Sequence, residues 1–150
     1  MTSCIAVFDI GKTNKKLILF DLEFNLIHEE QTSFEEVKDD EGDNCEDLRA
    51  LTNWMLETWK KIENDIRFNI RALNFTTYGA SFVHLDDNLR PVTPLYNYLK
   101  PLPKEVEDSF FAKYGDKMDF ATTTASPFLA MLNSGLQIYW LKHKDRKSVV

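Results

Sequence analysis

The sequence predicts an α/β domain with a mixed sheet, and three observations predict it. Short apolar runs rich in Ile, Val and Phe, Ile5 to Phe8 and Leu17 to Phe20, are bounded by Gly11 and Asn14 and read as buried strands. A stripe of Leu48, Leu51, Met55, Trp59, Ile62 and Ile66 recurs at three- and four-residue steps and reads as one helix face. A further strand-like run, Ile70 to Thr77, follows that helix. The resulting order is β-β-β-α-β, with a hairpin and further helices added after it.

The first two strands enclose the stretch that organises the chain, Val7-Phe8-Asp9-Ile10-Gly11-Lys12-Thr13-Asn14-Lys15-Lys16-Leu17. Strand, tight turn, strand is the reading. The turn offers backbone N–H groups, the polar side chains of Thr13 and Asn14, and the ammoniums of Lys12, Lys15 and Lys16. Amide dipoles and cations both favour phosphate oxygens. Asp9, at the mouth of the first strand, suits a hydrated Mg²⁺, a hard cation that prefers carboxylate and water. A Walker A loop is excluded: Ala6 stands where its first glycine belongs, and a strand follows where a P-loop opens a helix. On spacing alone, a charged surface hairpin fits as well.

A third strand is expected from Leu26 to Thr32, extending toward Phe34, to complete an antiparallel meander. Residues 35–47 carry eight carboxylates (Glu35, Glu36, Asp39, Asp40, Glu41, Asp43, Glu46, Asp47) against Lys38, and read as a solvated loop. Asp40-Glu41-Gly42-Asp43 lacks the alternation of a Ca²⁺ loop. Asp43 or Asn44 is expected to cap the helix, of roughly five turns. The strand over Ile70 to Thr77 is expected to lie parallel to the first, because a helix crossover separates them. Its C-terminal end would then approach the phosphate turn, where open α/β sheets place ligands.

That end reads Thr76-Thr77-Tyr78-Gly79-Ala80-Ser81, with a short strand toward Asp86, a turn at Asp87-Asn88 and a return at Arg90-Pro91-Val92. Tyr78 offers a flat face and a hydroxyl; Gly79 permits close approach of a ligand. A strand-end turn in which Gly79 serves a backbone need stays open. Pro94 to Pro103 is either a polar contact loop through Tyr96, Asn97 and Lys100 or a polyproline-type linker. Pro103 starts a helix that Gly115 stops near Tyr114. Ser126-Pro127 is expected to open another helix. Leu136, Tyr139, Trp140 and His143 share a last helical face, with His143 at the surface near its end.

Composition excludes several classes. The chain has 150 residues, 43% of them hydrophobic and 13% aromatic, and is expected to form one globular domain. A net charge of −6 disfavours nucleic acid. Cys4 and Cys45 make neither a disulfide framework nor a metal site. Met1-Thr2-Ser3-Cys4 has no basic leader, and no apolar run of about 18 residues spans a membrane, so a soluble cytoplasmic protein is expected.

The string Asp9-Ile10-Gly11-Lys12-Thr13-Asn14-Lys15-Lys16 resembles the first phosphate motif of the sugar kinase, actin and heat-shock chaperone superfamily. Together with Thr76 to Asp86 and the Leu132 to Lys142 stretch, it most resembles the FGGY carbohydrate kinases, from Ile5 to about Lys144. The resemblance implies a ribonuclease H-like, actin-like ATPase fold and transfer of the ATP γ-phosphoryl to a sugar hydroxyl. It implies Asp9 as a water-mediated Mg²⁺ holder and Lys12, Thr13, Asn14 and Lys16 as phosphate contacts. It places Tyr78, Gly79, Ala80 and Ser81 at the sugar. The stretch is most similar to rhamnulose and fuculose kinases, with Thr76 and Ser81 standing where that pattern has Asp. Gly79 and Ala80 cannot supply the Arg-Glu pair of glycerol kinases, so glycerol is rejected. The resemblance puts the catalytic Asp beyond Val150. The chain is therefore expected to be the first third of a kinase, inactive by itself, its basic tail from Lys144 onward departing from the pattern. A homodimer of the full-length protein stays open, as do a non-catalytic sugar- or nucleotide-binding remnant and an actin-like assembly protein.

Overall fold

Period-two alternation in the first strand sets the architecture: Cys4, Ala6, Phe8 and Ile10 are buried, while Ile5, Val7 and Asp9 between them are half-buried. The computed structural model describes residues 1–39 and 41–144; Asp40 and the basic tail at 145–150 lie outside the described residues. The elements in chain order are β1 (Thr2–Ile10), β2 (Lys15–Asp21), β3 (Leu26–Thr32), β4 (Val37–Lys38), β5 (Asn44–Glu46), α1 (Leu48–Glu63), β6 (Phe68–Thr77), β7 (Leu95–Tyr96), α2 (Lys104–Tyr114), α3 (Lys117–Thr124), a 3₁₀ turn (Ala130–Leu132) and α4 (Ser134–His143). The chain packs as two compact units, Met1–Val37 with Glu46–Gly79, and Lys38–Cys45 with Ala80–Val150.

The first unit holds a four-stranded sheet in the order β3-β2-β1-β6. The β1–β2 and β2–β3 pairs are antiparallel and β1–β6 is parallel, as the crossover through α1 requires. Helix α1 starts at Asp47, whose carboxylate accepts the Ala50 N–H at 2.8 Å. The expected caps Asp43 and Asn44 fall short of it because residues 44–46 form β5. Leu51 and Ile62 are buried on the sheet, with Trp54, Met55 and Trp59 packed beside them. Burying each such aliphatic side chain contributes about 1.5–3 kcal/mol. Ile66 departs from the predicted stripe and is 82% exposed, because the helix has already ended at Glu63. Phe8 sits at the centre, edge-on to Trp54 at 5.6 Å and stacked on Phe75 at 5.7 Å. Strand β6 is a sheet edge, and its Leu73 and Phe75 remain 41% and 54% exposed.

The second unit corrects three expectations and decides a fourth point that the sequence leaves open. The acidic run is a solvated loop only in part: Glu35, Glu36 and Glu41 are exposed, but the Asp39 side chain is buried and its carboxylate accepts the N–H groups of Glu41 and Asp43, closing a turn at Gly42, whose φ is 85°. Lys100 pairs with Asp43 and lies 3.9 Å from Asp39, and Lys144 pairs with Glu41. Mutual repulsion holds such a run open only until cations from distant segments fold onto it. The proline-bearing loop is not a free linker: Leu95 and Tyr96 form β7 beside β5, and Asn97 is also buried. Residues 82–86 form no strand; one bridge, Leu85 to Pro91, closes the hairpin, and the Asp86 carboxylate accepts the Asn88 and Arg90 N–H groups.

The helix expected from Ser126 does not form. Asp116 caps α3 ten residues earlier, accepting the Met118 N–H at 2.7 Å, and Ala125 ends it in the left-handed region. The Ser126 hydroxyl accepts from Asn133 instead of capping. Helix α2 begins after Pro103 and ends at Gly115, whose φ is 102°, as expected. Leu136 and Trp140 of α4 are buried with Cys45, Tyr96, Val106, Met131 and Leu141, and Tyr96 meets Trp140 edge-on at 4.8 Å. His143 is exposed at the end of α4, with its ring nitrogen 3.0 Å from the Tyr139 carbonyl. Among the described residues no helix is long and apolar enough to cross a membrane.

Two outcomes follow for the first unit. Phe8→Ala should destabilise the protein by about 3–5 kcal/mol in urea unfolding, because the site is enclosed by two aromatic rings. Asp65 closes the turn between α1 and β6 through three bonds to the Arg67 guanidinium and one from its N–H, which lower its pKa from 3.8 to about 2. A lowered carboxyl pKa stabilises the fold above its unfolded value, and that contribution fades as pH falls through its folded value. Asp65→Asn should therefore be less stable than the parent at pH 6, with the deficit shrinking between 3.8 and about 2 in acid titration.

Candidate functional site

The turn between β1 and β2 is built by a close backbone approach. A Cβ on Gly11 would stand 2.7 Å from the Asn14 carbonyl oxygen, nearer than side-chain carbons come. Glycine is thus required at 11 by space, and the turn keeps the main chain of residues 11–14 tightly folded. Thr13 and Asn14 at its tip are exposed.

Directly opposite residues in a ladder share a face. Asp9 lies opposite Lys16 of β2 and opposite Thr76 of β6. The end of the sheet thus groups a carboxylate, an ammonium and a hydroxyl on one face. Glu29 of β3 joins them, accepting from Lys16 Nζ at 2.8 Å. That bond is the main reason the Lys16 pKa is raised, with Glu29 and Asp9 charge adding to it.

Alternation sends Lys15 the other way. Its side chain is 2% exposed, and Nζ donates to the Lys12 carbonyl at 2.8 Å and to Glu46 Oε2 at 3.2 Å. Lys15 is therefore not among the ammoniums the turn presents, contrary to the sequence expectation. Lys12 Nζ lies 2.6 Å from both Glu36 Oε1 and Glu46 Oε1. Burial pulls the Lys12 ammonium down, but hydrogen bonds to Glu36 and Glu46 outweigh it and hold the pKa above the usual lysine value.

The Tyr78 N–H donates to the Ile10 carbonyl at 3.2 Å, prolonging the β1–β6 pairing past Thr77. The Tyr78 ring is half-buried and packs against the core of the first unit. Gly79 has no positive φ, and a Cβ there would meet no atom within 4 Å among the described residues. No backbone need accounts for glycine at this position. Ala80 and Ser81 belong to the second unit. Ala80 is held left-handed at φ 69°, with its carbonyl accepting from Gln137 Nε2. The Ser81 hydroxyl donates to the Tyr96 carbonyl at 3.1 Å.

Sequence reading missed Glu46 and Gln137. Glu46 was hidden in an acidic run, and Gln137 (3% exposed) lies on an otherwise apolar helix face. A polar residue inside an apolar stripe was the available signal for Gln137.

The half-buried Asp9 carboxylate at the sheet end is the kind of ligand that Mg²⁺ takes, since that ion binds through one or two carboxylates plus substrate phosphates. The three-carboxylate group among the described residues is Asp39, Glu41 and Asp43, where the Lys100 ammonium already supplies the countercharge. The second unit also holds an apolar cavity of about 440 Å³ lined by Phe110, Phe120, Phe128 and Leu136, and none of the predicted site residues borders it.

Residues 4–149 match the N-terminal domain of the FGGY family of carbohydrate kinases. Similar solved structures include a carbohydrate kinase from Novosphingobium aromaticivorans, 22% identical with a TM-score of 0.79 over 96% of this chain and 30% of that one. Gluconate kinase from Lactobacillus acidophilus is 17% identical with a TM-score of 0.76, over 99% of this chain and 30% of that one. Plasmodium falciparum glycerol kinase, solved with ADP, is 21% identical with a TM-score of 0.76, over 97% and 30%. These likenesses show the fold, the actin-like ATPase fold that the sequence predicts. This chain spans about 30% of the length of those structures. No curated protein matches it.

Gly11→Ala should test the turn. The forced shift of the Asn14 carbonyl should cost about 1–3 kcal/mol in urea unfolding. An unchanged midpoint would show that the turn is slack.

Proposed function

The chain belongs to the FGGY family of carbohydrate kinases, and on that premise we propose that it is the N-terminal, phosphate-facing part of an enzyme that moves the ATP γ-phosphoryl to a sugar hydroxyl. The observation that carries this reading is the grouping of Asp9, Lys16 and Thr76 at one sheet end, beside a turn whose backbone glycine is required by space.

In the transfer, a bond forms from the sugar oxygen to the γ-phosphorus, the bond to the β,γ-bridging oxygen breaks, and ADP leaves. The hydroxyl proton goes to a general base of the complete enzyme. Such a reaction depends mainly on positioning and charge neutralisation. Asp9 would hold Mg²⁺, which when bound would supply charge neutralisation on the phosphates. Thr13, Asn14 and the turn amides donate to phosphate oxygens. Lys16 adds charge without the bidentate fork of an arginine. Lys12 contacts phosphate only by exchanging a carboxylate partner for it. Tyr78, Gly79, Ala80 and Ser81 belong to the sugar side. Gly79, which nothing in the described chain explains, supports close approach of a ligand there. The sugar is a ketose or deoxy-ketose of the rhamnulose or fuculose type, from the Thr76 to Asp86 pattern. Turnover is proposed for the complete protein, since this chain spans about 30% of the length of the similar kinases.

One observation favours a second reading, a sugar- or nucleotide-binding module without turnover: Lys12 and Lys16 both carry carboxylate partners. Measured binding of sugar that Mg²⁺-ATP leaves unchanged would favour it. In the complete protein, Asp9→Ala should lower turnover by about 10²–10³-fold, the size of one lost transition-state charge contact. Sugar affinity should stay within about twofold in equilibrium titration, since uniform binding does not depend on that contact. An equal loss of sugar binding would contradict the role.

A further inference from the structure

Beneath the turn, one carboxylate closes a ring of bonds. Glu46 stands just before the α1 cap, is 7% exposed, and lies in the first unit with the turn. Its Oε1 is 2.6 Å from Lys12 Nζ and its Oε2 is 3.2 Å from Lys15 Nζ. Lys15 Nζ returns to the turn by donating to the Lys12 carbonyl at 2.8 Å. The path runs from the Lys12 side chain through Glu46 and Lys15 back to the Lys12 main chain. Both shoulders of the turn are thereby fastened to one acid that arrives from a different segment.

We propose that Glu46 is a positioning residue for the phosphate turn, acting through Lys15 and Lys12 rather than touching nucleotide. This rests on the reading of the turn as a phosphate site. Three points carry it. A buried ion pair is a weak source of net stability, and an apolar pair of similar volume usually serves as well. What this pair supplies, and an apolar pair cannot, is a bond to a turn carbonyl and a fixed place for the Lys12 ammonium. Lys12 and Lys15 are matched by Glu36 and Glu46, so the ring is neutral and holds the turn without adding positive charge to it. Lys16, on the opposite face of β2, is left as the cation on the Asp9 side. Outer partners that only orient a binding group typically change affinity 10–100-fold when removed.

The test is amide hydrogen exchange of the complete protein, paired with titration by Mg²⁺-ADP. In Glu46→Gln, amides of residues 11–15 should exchange at least about tenfold faster, while those of Leu51 to Ile62 in α1 keep parent protection. The dissociation constant for Mg²⁺-ADP should rise about tenfold. Loosening of the turn and α1 together, an unchanged turn, or a loosened turn with unchanged Mg²⁺-ADP affinity would each overturn the proposal. Should Glu46→Gln fail to fold, Lys15→Met with Glu46→Met removes both buried charges. That variant should fold with a protected α1 and a fast-exchanging turn; a turn as protected as the parent's would overturn the proposal. A parent protein that binds no Mg²⁺-ADP would overturn the nucleotide reading instead, and the exchange data would still decide whether Glu46 holds the turn.

Discussion

The parallel pairing of β1 with β6 is the constraint on which the first unit depends. It can form only because α1 carries the chain across the sheet, and α1 can do so only by burying Leu51 and Ile62 against the inward face of β1. Once β1 is flanked on both sides, its register fixes everything at the sheet end. Asp9 meets Lys16 on one side and Thr76 on the other. The Ile10 carbonyl, at the end of the same strand, takes the Tyr78 N–H. A one-residue slip would turn Phe8 outward and Asp9 into the core, and both changes are costly.

Electrostatics at the turn follow the same alternation. Adjacent lysines on β2 have opposite fates because successive side chains point to opposite faces. Lys15 is carried into the interior, where its charge needs Glu46; Lys16 stays on the partly exposed face with Glu29 and Asp9. A buried ammonium without such a partner would face a severe desolvation penalty. The acidic run that supplies Glu46 therefore reaches the folded interior at two points: the Asp39 side chain is enclosed in the second unit and Glu46 in the first.

The second unit is held differently. Its short sheet contributes little, and its core is aromatic and sulfur-rich, with Trp140 at the centre. Two lysines, Lys100 and Lys144, lie over the Trp140 ring at 5.1 and 4.5 Å while pairing with Asp43 and Glu41. Cation–π contact and ion pairing act here on the same ammoniums. Gln137 fastens the strained Ala80 backbone from the same helix. Left-handed alanine persists only where surrounding bonds over-determine it.

Residue pattern alone determined the three-strand meander, the crossover helix and the parallel strand after it, though not the short β4 and β5 between β3 and α1; it also determined the strand–turn–strand around Gly11, the α2 helix between Pro103 and Gly115, and the Asp9-to-Lys16 motif with its kinase likeness. Each of these rests on local chemistry: period-two or period-3.6 burial, a glycine, a proline, or contiguous motif residues. Tertiary structure alone decided the fate of the charges. Alternation puts Lys15 and Lys16 on opposite faces, but Leu17 to Phe20 is apolar on both faces, so the local pattern does not say which lysine turns inward, nor which of the eight carboxylates is buried; that depends on the partner a distant segment delivers. The start of α1 at Asp47 and the absence of a helix at Ser126 were decided in the same way: residues 44–46 were taken into a sheet with β7, and Ser126 into a bond with Asn133. Long-range pairing overrode the local signal wherever a polar side chain had two partners to choose between.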